Sequence, residues 1–319
     1  AGAEVTINNG IDFSGSGGLF WAKARGATDR HVLFDTEQGR LKYLRSDTTA
    51  AAASLSDGAG LKSFNNNGVT LGASLDWVNV AYNSLTSVGW SFKKAPKFFD
   101  IQTYTGDGES TRTLSHNLTT DVGMVMIKGL NETENWTVYH RSLPAGRVIR
   151  LDVTSAETNL GNGVAHVSGS TITLSKAGNP SYSGNDSNVN YIAYIFAHET
   201  GDDSMIQCGS YTGNGNATGP VIDLGWEPQW LIVKRDDDTS NWNIVDVMRE
   251  MSEVDTEILA ANTTGAEGSL DSSVWVPTAT GFKVTDTNTF NNANNGTYIY
   301  VAIRRPNMAT ITDATEVFA

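Results

Sequence analysis

Three short apolar runs, each ending in lysine, punctuate the chain: LFWAK (Leu19–Lys23), MVMIK (Met124–Lys128) and WLIVK (Trp230–Lys234). Each has the length of a strand and is bounded by turn residues. Two of them lead into the polar turns GLNETEN and RDDDTSN and then into alternating segments, NWTVYH and NWNIVD. Period-two alternation puts Trp136 and Val138 on one face and Thr137 and Tyr139 on the other, so each pair reads as an antiparallel hairpin. Eight residues separate Lys128 from Trp136 and Lys234 from Trp242, and eight also separate Lys23 from His31, where histidine takes the place of tryptophan.

The register persists beyond the hairpins. Leu44, Leu151 and Leu259 each open a Thr/Ala-rich stretch, and the short strand patterns VTL (69–71), ITL (172–174) and FKV (282–284) come next. Each copy closes on an alternating strand, in which Phe92, Phe196 and Ile303 lie 69, 68 and 69 residues after their lysines. The phrases TYTGDG (103–108) and SYTGNG (210–215) mark the joints, 107 positions apart, and no such phrase precedes the first copy. Landmarks in one order across three copies predict a repeated unit, and a period of roughly 105 residues is too long for a solenoid, so each copy is expected to bury its own core. The expected fold is all-β: three tandem homologous antiparallel β-sandwich modules, jelly-roll-like, over 1–100, 101–206 and 207–306, with 307–319 as a tail or linker. Short helical insertions are expected at 46–55 (SDTTAAAASL), which opens on a capping residue and holds four alanines, and over 247–261.

Composition narrows the function. A formal net charge of −13 without any basic cluster argues against nucleic acid and against an anionic membrane surface. No apolar stretch approaches a membrane-spanning helix, and the first ten residues lack a signal-peptide pattern. Cys208 is the single cysteine, which rules out an intramolecular disulfide and a cysteine zinc site, and it reads as an inert buried thiol. The histidines 31, 116, 140, 166 and 198 have no metal-ligand spacing, and His31 reads as a packing residue. The acidic groups Asp236–Asp238, Asp202-Asp203 and Glu250 with Glu253 are candidates for glycosidase-like pairs, but solvated turns explain them more simply, with weak calcium binding next. Lys23, Lys128 and Lys234 are expected to lay their stems over apolar neighbours with the ammonium in water. No catalytic residue, metal site or cofactor is assigned.

Long phrases of the chain, WAKARGATDRHVLFDTEQGRLKYLRSDTTAA, KAPKFFDIQTYTGDG, NYIAYIFAHE and IDLGWEPQWLIVKRDDDTSNW, resemble the repeated modules of tail-fibre and other virion structural proteins of bacteriophages, particularly those of marine bacteria. The resemblance spans about residues 18 to 306. It implies a non-enzymatic β-rich virion appendage, assembled in the host bacterial cytoplasm, with other virion proteins as partners, a homo-oligomeric (trimeric) state and a host cell-surface glycan as ligand. A tail fibre acting in host attachment is the leading expectation; a capsid decoration protein without a receptor role and a surface-polysaccharide depolymerase are the alternatives. The Asn-rich tips are the candidate recognition loops, namely Asn65, Asn66 and Asn67, then Asn185 and Asp186, then Asn291, Asn292 and Asn294.

Overall fold

The computed structural model describes residues 3–56, 59–72, 86–160, 165–168, 171–175, 182, 184–201, 203–270 and 273–305. The first unit holds β1 (Val5–Asn8), β2 (Gly18–Ala24), β3 (Val32–Asp35), β4 (Lys42–Tyr43), β5 (Ala53–Ser54), β6 (Leu61–Asn65), β7 (Gly68–Leu71) and β8 (Ser87–Lys93). The second holds β9 (Phe99–Thr105), β10 (Thr111–Ser115), β11 (Asp121–Gly129), β12 (Thr137–His140), β13 (Arg147–Arg150), β14 (Thr158–Asn159), β15 (Ala165–Ser168), β16 (Thr171–Ser175) and β17 (Asn190–His198). The third holds β18 (Ile206–Thr212), β19 (Val221–Asp223), β20 (Pro228–Arg235), β21 (Trp242–Asp246), β22 (Thr256–Ala260), β23 (Gly268–Leu270), β24 (Trp275–Thr278), β25 (Gly281–Val284) and β26 (Thr297–Arg304). Among the described residues helix is confined to two four-residue turns, α1 (Phe13–Ser16) and α2 (Thr289–Asn292), and a 3₁₀ turn at Val247–Arg249.

The sheets correspond strand for strand. The second unit's large sheet runs β14-β13-β12-β11-β17-β9, and the third's runs β23-β22-β21-β20-β26-β18. The first contributes β5-β4 and β3-β2-β8, linked by a bridge between Leu33 and Leu44, and here no described strand lies beyond β8. Each large sheet faces a three-stranded one, β1-β7-β6, β10-β16-β15 or β19-β25-β24, all antiparallel. Register places Leu44, Ile149 and Leu259 at one equivalent position, opposite Leu33, Val138 and Ile244, so Leu151 is two residues away from the match its type suggests.

Alternation explains why the lysine-ended runs are apolar throughout. In the third unit Leu231, Val233 and Val245 pack with Phe282 and Trp275 of the small sheet, while Trp230, Ile232, Trp242 and Ile244 face the other way. Phe20, Ala22, Val32 and Phe34 of the first unit likewise face their own small sheet, and Leu19, Trp21 and Leu33 point away from it. Those outward faces are buried by one another, in a cluster that extends from Leu19 to Ile303. The expectation of separate cores is therefore corrected: the first and third units have inner cores of their own, but a shared core joins all three. A sheet buried on both faces needs apolar residues at consecutive positions.

Neither longer helix forms. Residues 48–52 are extended along the second unit, where Thr49 O accepts from Glu134 N (3.1 Å) and Ala52 N donates to Leu130 O (3.0 Å). These seam bonds override the helix preference of the alanines. Over 247–261 only the 3₁₀ turn forms before β22, whose Leu259 enters the shared core.

The joint phrases have a matching lock. Tyr104 donates to Gly184 O (2.6 Å) and stacks on Tyr191; Tyr211 donates to Asn291 O (2.8 Å) and stacks on Tyr298. A Cβ on Gly106 would run into Asp186 O, and one on Gly213 into Ala293 O. Gly213→Ala is accordingly expected to cost about 1–3 kcal/mol through forced backbone displacement. Urea unfolding checks this, and a midpoint equal to that of the parent would show that the close approach is dispensable.

Candidate functional site

The residues that repeat along the sequence meet at the seams between units. Residues two beyond each lysine accept a backbone bond from the neighbouring unit: Leu130 O from Ala52 N (3.0 Å), Asp236 O from Glu157 N (2.8 Å) and Arg25 O from Glu267 N (2.8 Å). The residue eight beyond each lysine reaches across as well. Trp136 donates to Arg45 O (2.9 Å), Trp242 donates to Arg150 O (2.7 Å), and His31 Nε2 lies 3.0 Å from Ala260 O. Second bonds to first, third to second and first to third, so the three seams close a ring.

A further position, four residues on, repeats the pattern with different chemistry. Asp35 accepts from Tyr194 (2.9 Å), His140 Nε2 lies 3.0 Å from Tyr300 O, and Asp246 accepts from Trp90 (3.0 Å). His31 Nδ1 accepts from Trp21 Nε1 (3.0 Å) and His140 Nδ1 accepts from Ser142 N (3.2 Å), which places the proton of each neutral ring on Nε2, where it is donated across the seam. Burial pushes His31 down to about 3 and His140 to about 4. Arg249 pairs with Asp246 (2.7 Å) and Glu267 (2.6 Å), and Arg25 also pairs with Glu267 (2.6 Å), adding ionic bonds to the third–first seam.

The three lysines are fully buried, contrary to the expectation of solvated ammonium groups. Each Nζ donates to carbonyls of its hairpin turn: Lys23 to Ala24 O (2.6 Å) and Ala27 O (3.2 Å), Lys234 to Arg235 O and Asp238 O, and Lys128 to Glu134 O (2.9 Å) and, across the seam, Thr49 O (3.0 Å). Burial lowers all three, Lys128 and Lys234 to about 8, against the pull of nearby carboxylates. Cys208 is buried against Gly123, and burial pushes its thiol up, in keeping with an inert group.

The candidate recognition residues separate into two kinds. Asn185, Asn291 and Asn292 are fully buried and offer no surface to a ligand. Asn185 and Asn292 instead clasp the joints: Asn185 Oδ1 accepts from Asp107 N (3.2 Å) and its amide donates to Glu109 O (3.1 Å), while Asn292 repeats this with Asn214 N (2.8 Å) and Asn216 O (2.8 Å). Asn66, Asn67 and Asn294 are exposed, with Asn65 and Asp186 half-buried. Asn67 Oδ1 holds Gly10 N (2.8 Å), fixing the β6–β7 turn. Of the acidic groups, Asp236 is buried, Asp237 pairs with Arg235 (2.7 Å), and Asp202 lies outside the described residues. Glu250 comes within 4.8 Å of Asp255 and Glu257, partners that differ from the Glu253 its spacing suggests.

At the third–first seam two adjoining clefts of about 760 and 500 Å³ share Ile11, Ser91, Phe98, Gln229 and Ile303. Phe92 and Trp230 line the smaller one. Every other described tryptophan donates its indole N–H; Trp230 Nε1 alone is buried without an acceptor. A more polar cleft of about 560 Å³, lined by Thr154, Ser240, Asn243 and Phe290, runs along the second–third seam. No signal in the sequence marks the third–first cleft or the tryptophan that lines it. Among the described residues no helix is long and apolar enough to cross a membrane.

Fold and site together define an all-β protein whose paired sheets surround a shared core. Residues 2–305 match the family described as Domain of unknown function (DUF7483), and the chain belongs to that family. No curated protein and no solved structure matches it.

Proposed function

We propose that the chain is a non-enzymatic structural protein of a bacteriophage virion, a tail fibre or related surface appendage that acts in host attachment. One observation carries the reading: the repeated lysine, tryptophan and histidine side chains are interior and bond across seams or within hairpin turns, an arrangement suited to rigidity. The phage-module resemblance of the sequence supplies the virion setting. Exposed turns on this frame, Asn66 and Asn67 in one place and Asn294 in another, are then the contact residues, and a cell-surface glycan bound weakly at several copies gains strength by avidity.

Imaging of intact particles labelled with an antibody to this chain tests the setting; label at the tail supports it, label on the head replaces it with a decoration role, and unlabelled particles reject it. Alanine at Asn66, Asn67 and Asn294 is expected to slow adsorption to host cells. Unchanged adsorption would remove those turns from recognition.

A further inference from the structure

We infer that the polar cleft along the second–third seam is a binding site for a neutral saccharide. Its floor follows from strand alternation. On β21 Trp242 and Ile244 face the shared core, so Asn243 between them turns to the other face, beside Val233 of β20 and Ala260 of β22. Asn243 is only 5% exposed and lines the cleft, yet its side-chain amide makes no hydrogen bond to any described residue. A buried amide without a protein partner is matched by water or by a ligand. Asn241 adds a second group, because its Oδ1 accepts from Asn262 (2.9 Å) and its Nδ2 donor is left over.

The rest of the lining decides the ligand class. Thr154 and Ser240, joined across the seam by Ser240 N donating to Thr154 O (2.9 Å), and Thr263 supply hydroxyls that both give and accept. Phe290 and Ile258 supply an apolar face. No Lys, Arg, Asp or Glu is among the described lining residues. A pyranose has the matching make-up, with hydroxyls around its rim and a face of C–H groups that packs on an aromatic ring. An anion would meet no cation here, and the net charge of −13 opposes it further. At about 560 Å³ the cleft falls within the range of small-molecule sites, about 300–1,000 Å³.

Sister positions show that this lining is particular to the third unit. The residue nine beyond the lysine is Val32 in the first unit and Thr137 in the second. Where Ser240 stands the second unit has Glu134, which makes the equivalent seam bond to Thr49 O, and that buried glutamate takes up room that serine leaves. None of Asn66, Asn67 and Asn294 lines the cleft, so the inference goes beyond attachment through those turns and does not need the virion setting.

The purified full chain is titrated with D-glucose, D-galactose and D-mannose, each beside its uronate, while its backbone amide resonances are followed. At least one neutral sugar is expected to bind with a millimolar Kd and to shift Ser240, Asn243 and Gly268 while leaving Asn66 and Asn67 in place. Its uronate is expected to bind at least about tenfold more weakly, since the carboxylate would be desolvated without a cation. Asn243→Val, which installs the residue the first unit carries there, is expected to weaken binding about fivefold to tenfold. No shift from any of the three sugars at about 0.1 M overturns the inference. So do shifts confined to Asn66 and Asn67, a uronate that binds as tightly as its sugar, or undiminished binding by a folded Asn243→Val. Should that variant not fold, the shifts in the parent protein decide alone.

Discussion

Replacing Lys128 with methionine is expected to destabilise the protein by about 3–5 kcal/mol, the range for removing one partner from a buried charged network. Methionine keeps most of the stem volume, so the loss isolates the ammonium. Without it Thr49 O and Glu134 O each lose their bond to Nζ, and the charge that opposes the burial-driven rise of Asp152 disappears. The Thr49 bond crosses from the second unit to the first, so the effect falls on the seam as well as on the hairpin. Lys234→Met, whose two acceptors lie within its own hairpin turn, provides the comparison. Urea denaturation of both variants measures the difference, and a cost under about 1 kcal/mol for Lys128→Met would mean that water replaces the ammonium freely.

Acid is expected to open the ring through its histidines. Burial holds His31 at about 3 and His140 at about 4, so below the ordinary value near 6.5 the unfolded chain takes up protons that the folded chain refuses. Stability therefore falls with pH from 6.5 downward, at up to about 1.4 kcal/mol per pH unit for each ring. Between pH 6.5 and 4 the two together account for roughly 6 kcal/mol, comparable to the whole stability of many domains. Asp35, Asp47, Asp152 and Asp236 act in the opposite sense, because burial raises them and the folded state binds their protons first. The informative quantity is thus a difference in slope: His31→Gln and His140→Gln should each flatten the dependence of unfolding free energy on pH between 6.5 and 4.5. Slopes identical to the parent's would show that neither ring stays neutral in the fold.

Much of the strand pattern is legible because it is written more than once. The lysine-to-tryptophan interval, the joint phrases and the closing strands each fall on real elements, and Trp136 and Trp242 take the alternating face assigned to them. The sequence hides the destination of those faces. A run such as WLIVK reads the same whether one face or both are buried, so the shared core and the buried ammonium groups are not visible in it. The four alanines of 50–53 favour a helix locally, but backbone bonds to Leu130 and Glu134, far along the chain, decide their conformation. Asn185 and Asn292 look like surface tips for a similar reason, since an asparagine that caps a joint and one that greets a ligand have the same letter and the same loop context.

The bonds from His31 to Ala260 and from Trp90 to Asp246 also set a timetable for biosynthesis. The flank of the first unit that carries His31 and Trp90 gains these partners only after the third unit leaves the ribosome. At about 5–20 residues per second, that interval is roughly ten to forty seconds. During it the nascent polypeptide displays an aromatic surface, a ready client for chaperones, and expression yield should therefore track chaperone supply more closely than the finished molecule's stability would suggest.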